Sequence, residues 1–377
     1  MRSDLVLTPG GYRHRSLVHR LEPNQAVQIV DGRARLLHQT TRAITELPIV
    51  TLQPGDVPGF GTGWITYGTW TNTTGTPISS FATRWRVPPP PKTQSSQTIF
   101  LFNGIDPANP SDAILQPVLQ WGPSHAGGGS YWAVASWYVL GSGPAFYTNL
   151  VPVNPGDEVV GVMTLTAQAA GKFSYTAEFQ GIAGTSLPVQ SVNELVWCNE
   201  TLEAYGISAC SDYPDTDLTP MRGITLKTGT TIPGVNWTPV DQVIDCGQHA
   251  LVPVNSGDGG EVDLYYRQPT AQFNWGNLAQ FVQILFGVTN DGGGVVILPN
   301  GRIIRIPPRS PEIALFRQIA EGLAEVGRGF AISEDVSGSA DRMLANSLGT
   351  ASLQLMAGGL KGASEAVMKA LSVSTQR

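Results

Sequence analysis

The chain has 377 residues, 14% of them charged, and a formal net charge of -6 with no basic cluster, so the positive face that nucleic acid requires is excluded. No apolar run reaches the ~18 residues that would suggest a membrane span. The 43 glycines and 28 prolines point instead to short strands joined by turns, an all-β class with one large domain and attachments.

The opening residues contain no apolar stretch of signal-peptide length, so a cytoplasmic location or export by a non-classical route is expected. Residues 1–60 read as an N-terminal extension with a hairpin over Val27–Leu37, because Asp31-Gly32 sits between two β-type runs. From 61 to 267 apolar stretches recur at intervals of roughly 10 residues, separated by Gly, Pro, Asn and Asp, the spacing of a β-sandwich or barrel. Ile99–Phe102, Val159–Leu165 and Val262–Tyr266 are examples. Residues 268–310 form a linker with a second hairpin, closed by Asn300-Gly301 and stopped by Pro307-Pro308. Over 311–377, Ile313, Phe316, Ile319, Ala320 and Leu323 fall at helical spacing. This helical tail is expected to dock on the sandwich or to mediate self-association. The three cysteines, Cys198, Cys210 and Cys246, cannot all pair within one chain and fit no zinc spacing. A Cys198–Cys210 bridge is one option, and neither metal nor cofactor is indicated.

Several motifs occur in order between Arg86 and Arg267. A strand leads into Gly104-Ile105-Asp106, and Ala113-Ile114-Leu115-Gln116 follows. Next comes Tyr131-Trp132-Ala133-Val134-Ala135-Ser136-Trp137-Tyr138, then Val153-Asn154-Pro155-Gly156-Asp157. Val196-Trp197 with Glu200, Ile244-Asp245 and Val262–Tyr266 complete the series. Together they resemble the glutamic peptidase (eqolisin) family, whose segments read Trp-Val-Gly-Ile-Asp, Ile-Leu-Gln, Tyr-x-Ala-Trp-Tyr-Glu-Trp-Tyr-Pro and Trp-Ile-Val-Glu.

The resemblance implies a mainly β fold: a two-sheet antiparallel β-sandwich of the concanavalin A-like jelly-roll kind, with a groove across one sheet. It makes Gln116 one half of a catalytic dyad and places Ser136 where the family carries a glutamate. It sets Asp106 near the dyad, and gives the groove Phe102, Gln120, Trp121, Tyr131 and Trp132. By strand alternation Trp132, Val134 and Ser136 share a face, so a groove-facing Ser136 requires a groove-facing Trp132. Without the motif, Gln116 reads equally well as a polar residue on a solvated sheet face.

Hydrolysis by such a dyad needs a carboxylate that takes a proton from water and returns it to the leaving amine, which a serine hydroxyl cannot do. A nucleophilic Ser136 would require an oriented base, and His125 is the only histidine near it in sequence. Two functions follow. The first is a glutamic-peptidase-like domain without normal peptidase activity that binds a peptide or carbohydrate in its groove. The second is a hydrolase that uses Gln116 with a substitute carboxylate such as Asp106.

Overall fold

The computed structural model describes residues 4–48, 63–94, 96–141 and 143–267, together with the backbone of three short strands beyond them. The chain divides into two compact units, 1–270 and 271–377.

The first unit begins with β1 (Leu5–Thr8), β2 (Gly11–His14), β3 (Val18–Arg20), β4 (Gln25–Val30), β5 (Arg33–His38) and β6 (Ile44–Glu46). It continues through β7 (Trp64–Thr71), β8 (Ile78–Arg86), β9 (Thr98–Pro107), β10 (Ala113–Trp121), β11 (Trp132–Leu140), β12 (Ala145–Tyr147), β13 (Val151–Pro152) and β14 (Glu158–Ala169). It ends with β15 (Lys172–Phe179), β16 (Leu187–Val192), β17 (Leu195–Tyr205), β18 (Leu218–Thr228), β19 (Thr238–Asp241), β20 (His249–Val254) and β21 (Asp258–Tyr265). In the second unit β22 (Leu285–Val288), β23 (Gly294–Ile297) and β24 (Ile303–Ile306) form an antiparallel three-stranded sheet. The expected pairing of the second hairpin is present in β23–β24, while its Asn300-Gly301 turn and the helical tail lie outside the described residues.

Two large sheets make up the first unit. The front sheet runs β19-β7-β17-β9-β10-β11-β12-β3, with β13 beside β11, and the back sheet runs β20-β21-β18-β8-β14-β15-β16-β4-β5-β6. Their facing surfaces form one apolar core. Phe81, Trp85, Met163, Phe179 and Leu226 from the back meet Ile105, Leu115, Leu119, Trp132, Tyr138 and Leu202 from the front. Each such side chain contributes about 1.5–3 kcal/mol on leaving water. At Gly161 the sheets approach so closely that a Cβ would lie 2.3 Å from Asn103 Oδ1 and 2.9 Å from Pro117 Cγ.

The opposite surface of the front sheet is also buried. Phe100, Phe102, Ile114, Val118, Ala135, Trp137 and Val139 form a second cluster there, and Val6 and Leu7 of the N-terminal strand pack against it. All ten residues of β9 are therefore buried, and so are all nine of β10. A strand covered on both faces has no polar face, which is why Ile99–Phe102 is an unbroken apolar run.

The hairpin expected over Val27–Leu37 is β4–β5, with Asp31 and Gly32 at positive φ (50° and 75°) as its two-residue turn demands. The segment does more than extend the sandwich. β4 joins the back sheet alongside β16 and β3 joins the front sheet alongside β12, both in parallel, so the sheets are not wholly antiparallel. The disulfide links Cys210 to Cys246, whereas Cys198 lies buried on β17, facing the inter-sheet core. The Cys198–Cys210 option is thereby overturned: alternation along a central strand turns Cys198 inward, away from the surface turn that carries Cys210.

Candidate functional site

Gln116 projects from the front face of β10, between Ile114 and Val118 of the second apolar cluster. The β9–β10 register, Leu115 with Ile105 and Val118 with Phe102, sets Gln116 beside Gly104, and Gly104 is paired in turn with Asn199 of β17. The Asn199 side chain lies against the bare glycine. A Cβ at Gly104 would stand 2.9 Å from both Asn199 Oδ1 and Ile114 Cδ1.

Asn199 is held in place from both sides. Its Nδ2 donates to Asp106 Oδ2 at 2.8 Å, and Thr201 Oγ1 donates to its Oδ1 at 2.9 Å. Burial drives the Asp106 carboxyl well above its ordinary pKa, against the opposing hydrogen bond from Asn199. Gln116 is only 1% exposed, yet neither Nε2 nor Oε1 has a hydrogen-bond partner among the described residues. It lines a cavity of about 140 Å³ together with Asp106, Trp64, Tyr67, Trp197 and Gly10.

The expected dyad partner is elsewhere. Ser136 pairs with Pro117, one residue beyond Gln116, so its side chain leaves the opposite face of the sheet and enters the inter-sheet core. Its N–H donates to Thr148 Oγ1 at 2.9 Å, and its hydroxyl has no partner among the described residues. Trp132 and Trp121 point the same way, with ring centroids 5.5 Å apart in the core, and do not line the groove. A nucleophilic Ser136 is overturned on the same ground. His125 lies on the front side, edge-on to Tyr147, which stacks on the front-facing Trp137.

Of the remaining expected groove residues, Phe102 faces the front and meets Trp64 edge-on at 6.0 Å. Tyr131 is 45% exposed in the adjoining loop. Gln120 is on the front face, but its amide is fully engaged. Nε2 donates to the carbonyls of Gly122 and Gly127, and Oε1 accepts from Ser124. It positions the Gly122–Gly129 loop and has no free group for a ligand.

Asn199, Trp64 and Tyr67 do not stand out in the sequence. The available signal is the alternation Trp197, Asn199, Thr201, Glu203, Tyr205, which sets polar and aromatic residues on one face of the strand. Glu200, the conspicuous acid of that strand, turns inward. Thr83 donates to it from the back sheet, and burial pushes its pKa well above the ordinary value against that bond. Glu203 shares the front face with Asn199. It accepts from Gly10 N and Tyr205 Oη, and burial raises it to about 7 although these bonds and Arg13 oppose the shift. Among the described residues no group of three or more His, Cys, Asp or Glu is arranged to hold a metal ion.

Residues 65–186 match the Peptidase A4 family, so the resemblance to the glutamic peptidases is shown over the first part of the sandwich. The match ends before β17, the strand that supplies Asn199 and Glu203. Among solved structures, Scytalido-glutamic peptidase in complex with a peptide-based transition-state analog is 15% identical, with a TM-score of 0.37. The similarity covers 54% of this chain and 98% of that one. SCP-B, a member of the eqolisin family in complex with the tripeptide Ala-Ile-His, is 14% identical with a TM-score of 0.33 and the same coverage. No curated protein matches the chain.

Proposed function

We propose that the front sheet of this glutamic-peptidase-like, jelly-roll domain is a peptide-binding groove without the normal peptidase step. The observation that carries this reading is the Gln116 amide, buried among Trp64, Tyr67 and Trp197 with its donor and acceptor both unpartnered among the described residues. An amide in an aromatic cavity suits a peptide bond, to which it can donate and from which it can accept while the rings cover apolar side chains. The hydrolytic step is another matter. Across Gly104 the neighbour of Gln116 is Asn199, which cannot take a proton from water, and burial opposes the ionisation that Asp106 would need to act as a base. A missing general base costs on the order of 10²–10⁴-fold in rate.

The test is titration of the full chain with a fluorescein-labelled random octapeptide library, followed by fluorescence anisotropy. Saturable binding that Gln116→Ala weakens at least ~10-fold is the expected result, about 1.4 kcal/mol or more. Gln116-dependent binding of oligosaccharides with no binding of peptides would redirect the reading to a carbohydrate ligand.

A second reading is supported by Asp106, which lines the same cavity as Gln116 and whose carboxyl, its pKa raised by burial, is suited to protonating a leaving amine. Under it, casein is cleaved at acidic pH and Asp106→Asn abolishes cleavage. Cleavage at an unchanged rate in that variant would sink this alternative.

A further inference from the structure

A piece of the same chain, the β1–β2 hairpin, lies against the front sheet. β1 and β2 pair only with each other, and the turn between them, Thr8-Pro9-Gly10-Gly11, is fully buried although it belongs to neither large sheet. Three residues of the hairpin form hydrogen bonds that seat it on the front side. The Leu7 carbonyl accepts from His125 N at 2.8 Å, Gly10 N donates to Glu203 Oε1 at 2.8 Å, and Arg13 Nη1 donates to the carbonyls of Leu140 and Gly143 at 2.7 Å. Val6 and Leu7 cover the front apolar cluster, Tyr12 meets Tyr205 edge-on at 5.9 Å, and Gly10 reaches the wall of the cavity that Gln116 lines.

From this geometry we infer that the β1–β2 hairpin is a built-in occupant of the groove, so that hairpin docking and peptide binding exclude one another. The hairpin lies where an extended ligand would run across the front sheet and meets it as such a ligand would. Backbone groups serve as donors and acceptors, two aliphatic side chains rest on the apolar cluster, and the glycine turn reaches the cavity that Gln116 lines. The element can move as a unit, because it exchanges no strand hydrogen bonds with either large sheet and is joined to β3 by one short turn of 3-10 helix at Arg15–Leu17. Ligand affinity in the intact chain is lowered by the fraction of molecules whose hairpin is docked.

The inference rests on the groove reading above, and the experiment separates the two. In the full chain, Leu7→Asp sets a carboxylate against the apolar cluster, and Gly10→Pro removes the N–H that Glu203 accepts. Hydrogen exchange follows the amides of Gly10 and His125 against those of β9 and β10, and anisotropy follows the labelled octapeptide library. Leu7→Asp is expected to lose protection at Gly10 and His125, and Gly10→Pro, which has no amide at position 10, at His125; both keep it in β9 and β10 and bind the library at least ~10-fold more tightly than the wild type. Equal affinity in variant and wild type overturns the inference and leaves the groove reading intact, whereas absence of binding in every protein overturns both. Where a variant also loses protection in β9 and β10, the wild type decides. Saturating peptide must speed exchange at Gly10 and His125, and unchanged protection there overturns the inference.

Discussion

Gln116 and Ser136 stand on adjacent strands but leave opposite faces of the sheet, and their substitutions should behave accordingly. Ser136→Glu would force a carboxylate into an apolar core with no partner, which costs about 3 kcal/mol or more and brings no cleavage. Ser136→Ala should be neutral or stabilising, because the hydroxyl it removes is already without a partner among the described residues. Urea denaturation of the two variants reads both effects, and a stable, proteolytic Ser136→Glu protein would refute this placement. At the groove the informative change is Asn199→Glu, which sets a carboxylate across Gly104 from Gln116. Weak acid hydrolysis of casein that is lost again on Gln116→Ala is the expected outcome.

At the scale of elements, two features hold the sandwich in its observed arrangement. The Cys210–Cys246 link closes a loop with a sequence separation of 36, for which chain entropy gives a stabilisation of about 3–4 kcal/mol. Cys246→Ser should therefore lower unfolding free energy by about 2–4 kcal/mol, measured by denaturant titration, while the free Cys198 is replaceable by Ala at smaller cost. Gly161 is the second feature, since any Cβ there meets Asn103 and Pro117 on the facing sheet. Gly161→Ala should cost about 1–3 kcal/mol by overpacking. A loss below ~0.5 kcal/mol would mean that the sheets part easily at this point. The β4–β5 hairpin is recognisable from Asp31-Gly32 alone. That β3 and β4 would be stitched in parallel to β12 and β16 was not, because parallel edge pairing depends on where the chain returns in space and not on any local signal.

For the whole molecule, the buried carboxyl groups make stability depend on pH in a definite direction. Burial raises Asp106 and Glu200 well above their ordinary values, brings Glu203 to about 7 against its hydrogen bonds, and brings Asp263 to about 6 with help from Glu261. A carboxyl whose pKa is higher folded than unfolded binds its proton more tightly in the native state. Its contribution is complete below the unfolded pKa and is lost as pH rises through the folded one. Glu203 alone, moving from 4.5 to about 7, is worth on the order of 3 kcal/mol across that window. Asp212 works in the other sense. Burial opposes its ionisation, but hydrogen bonds from Thr93, Ser208 and Ala209 outweigh this and hold it below the usual range, so its contribution is present above the unfolded pKa and is lost as pH falls below it. Thermal unfolding should therefore occur at a higher temperature at pH 5 than at pH 8, and Glu203→Gln should flatten the difference. A transition temperature that rises from pH 5 to pH 8 would contradict the upward shift of these buried groups.

By itself the sequence determined the mainly β class, the turn at Asp31-Gly32, the ordered motifs that resemble the glutamic peptidases and the candidacy of Gln116, all of which rest on residues close together in the chain. Only the tertiary structure decided which face of β10 and β11 meets the second sheet, and with it that Ser136, Trp121 and Trp132 belong to the core. Alternation says which residues share a face but not where that face looks, and on strands buried on both sides hydrophobicity does not distinguish the two. The same holds for Asn199 across Gly104, for Cys210 with Cys246, and for the N-terminal hairpin against Glu203. Each pair is distant in sequence and is brought together by sheet order and register, which local residue preferences do not encode.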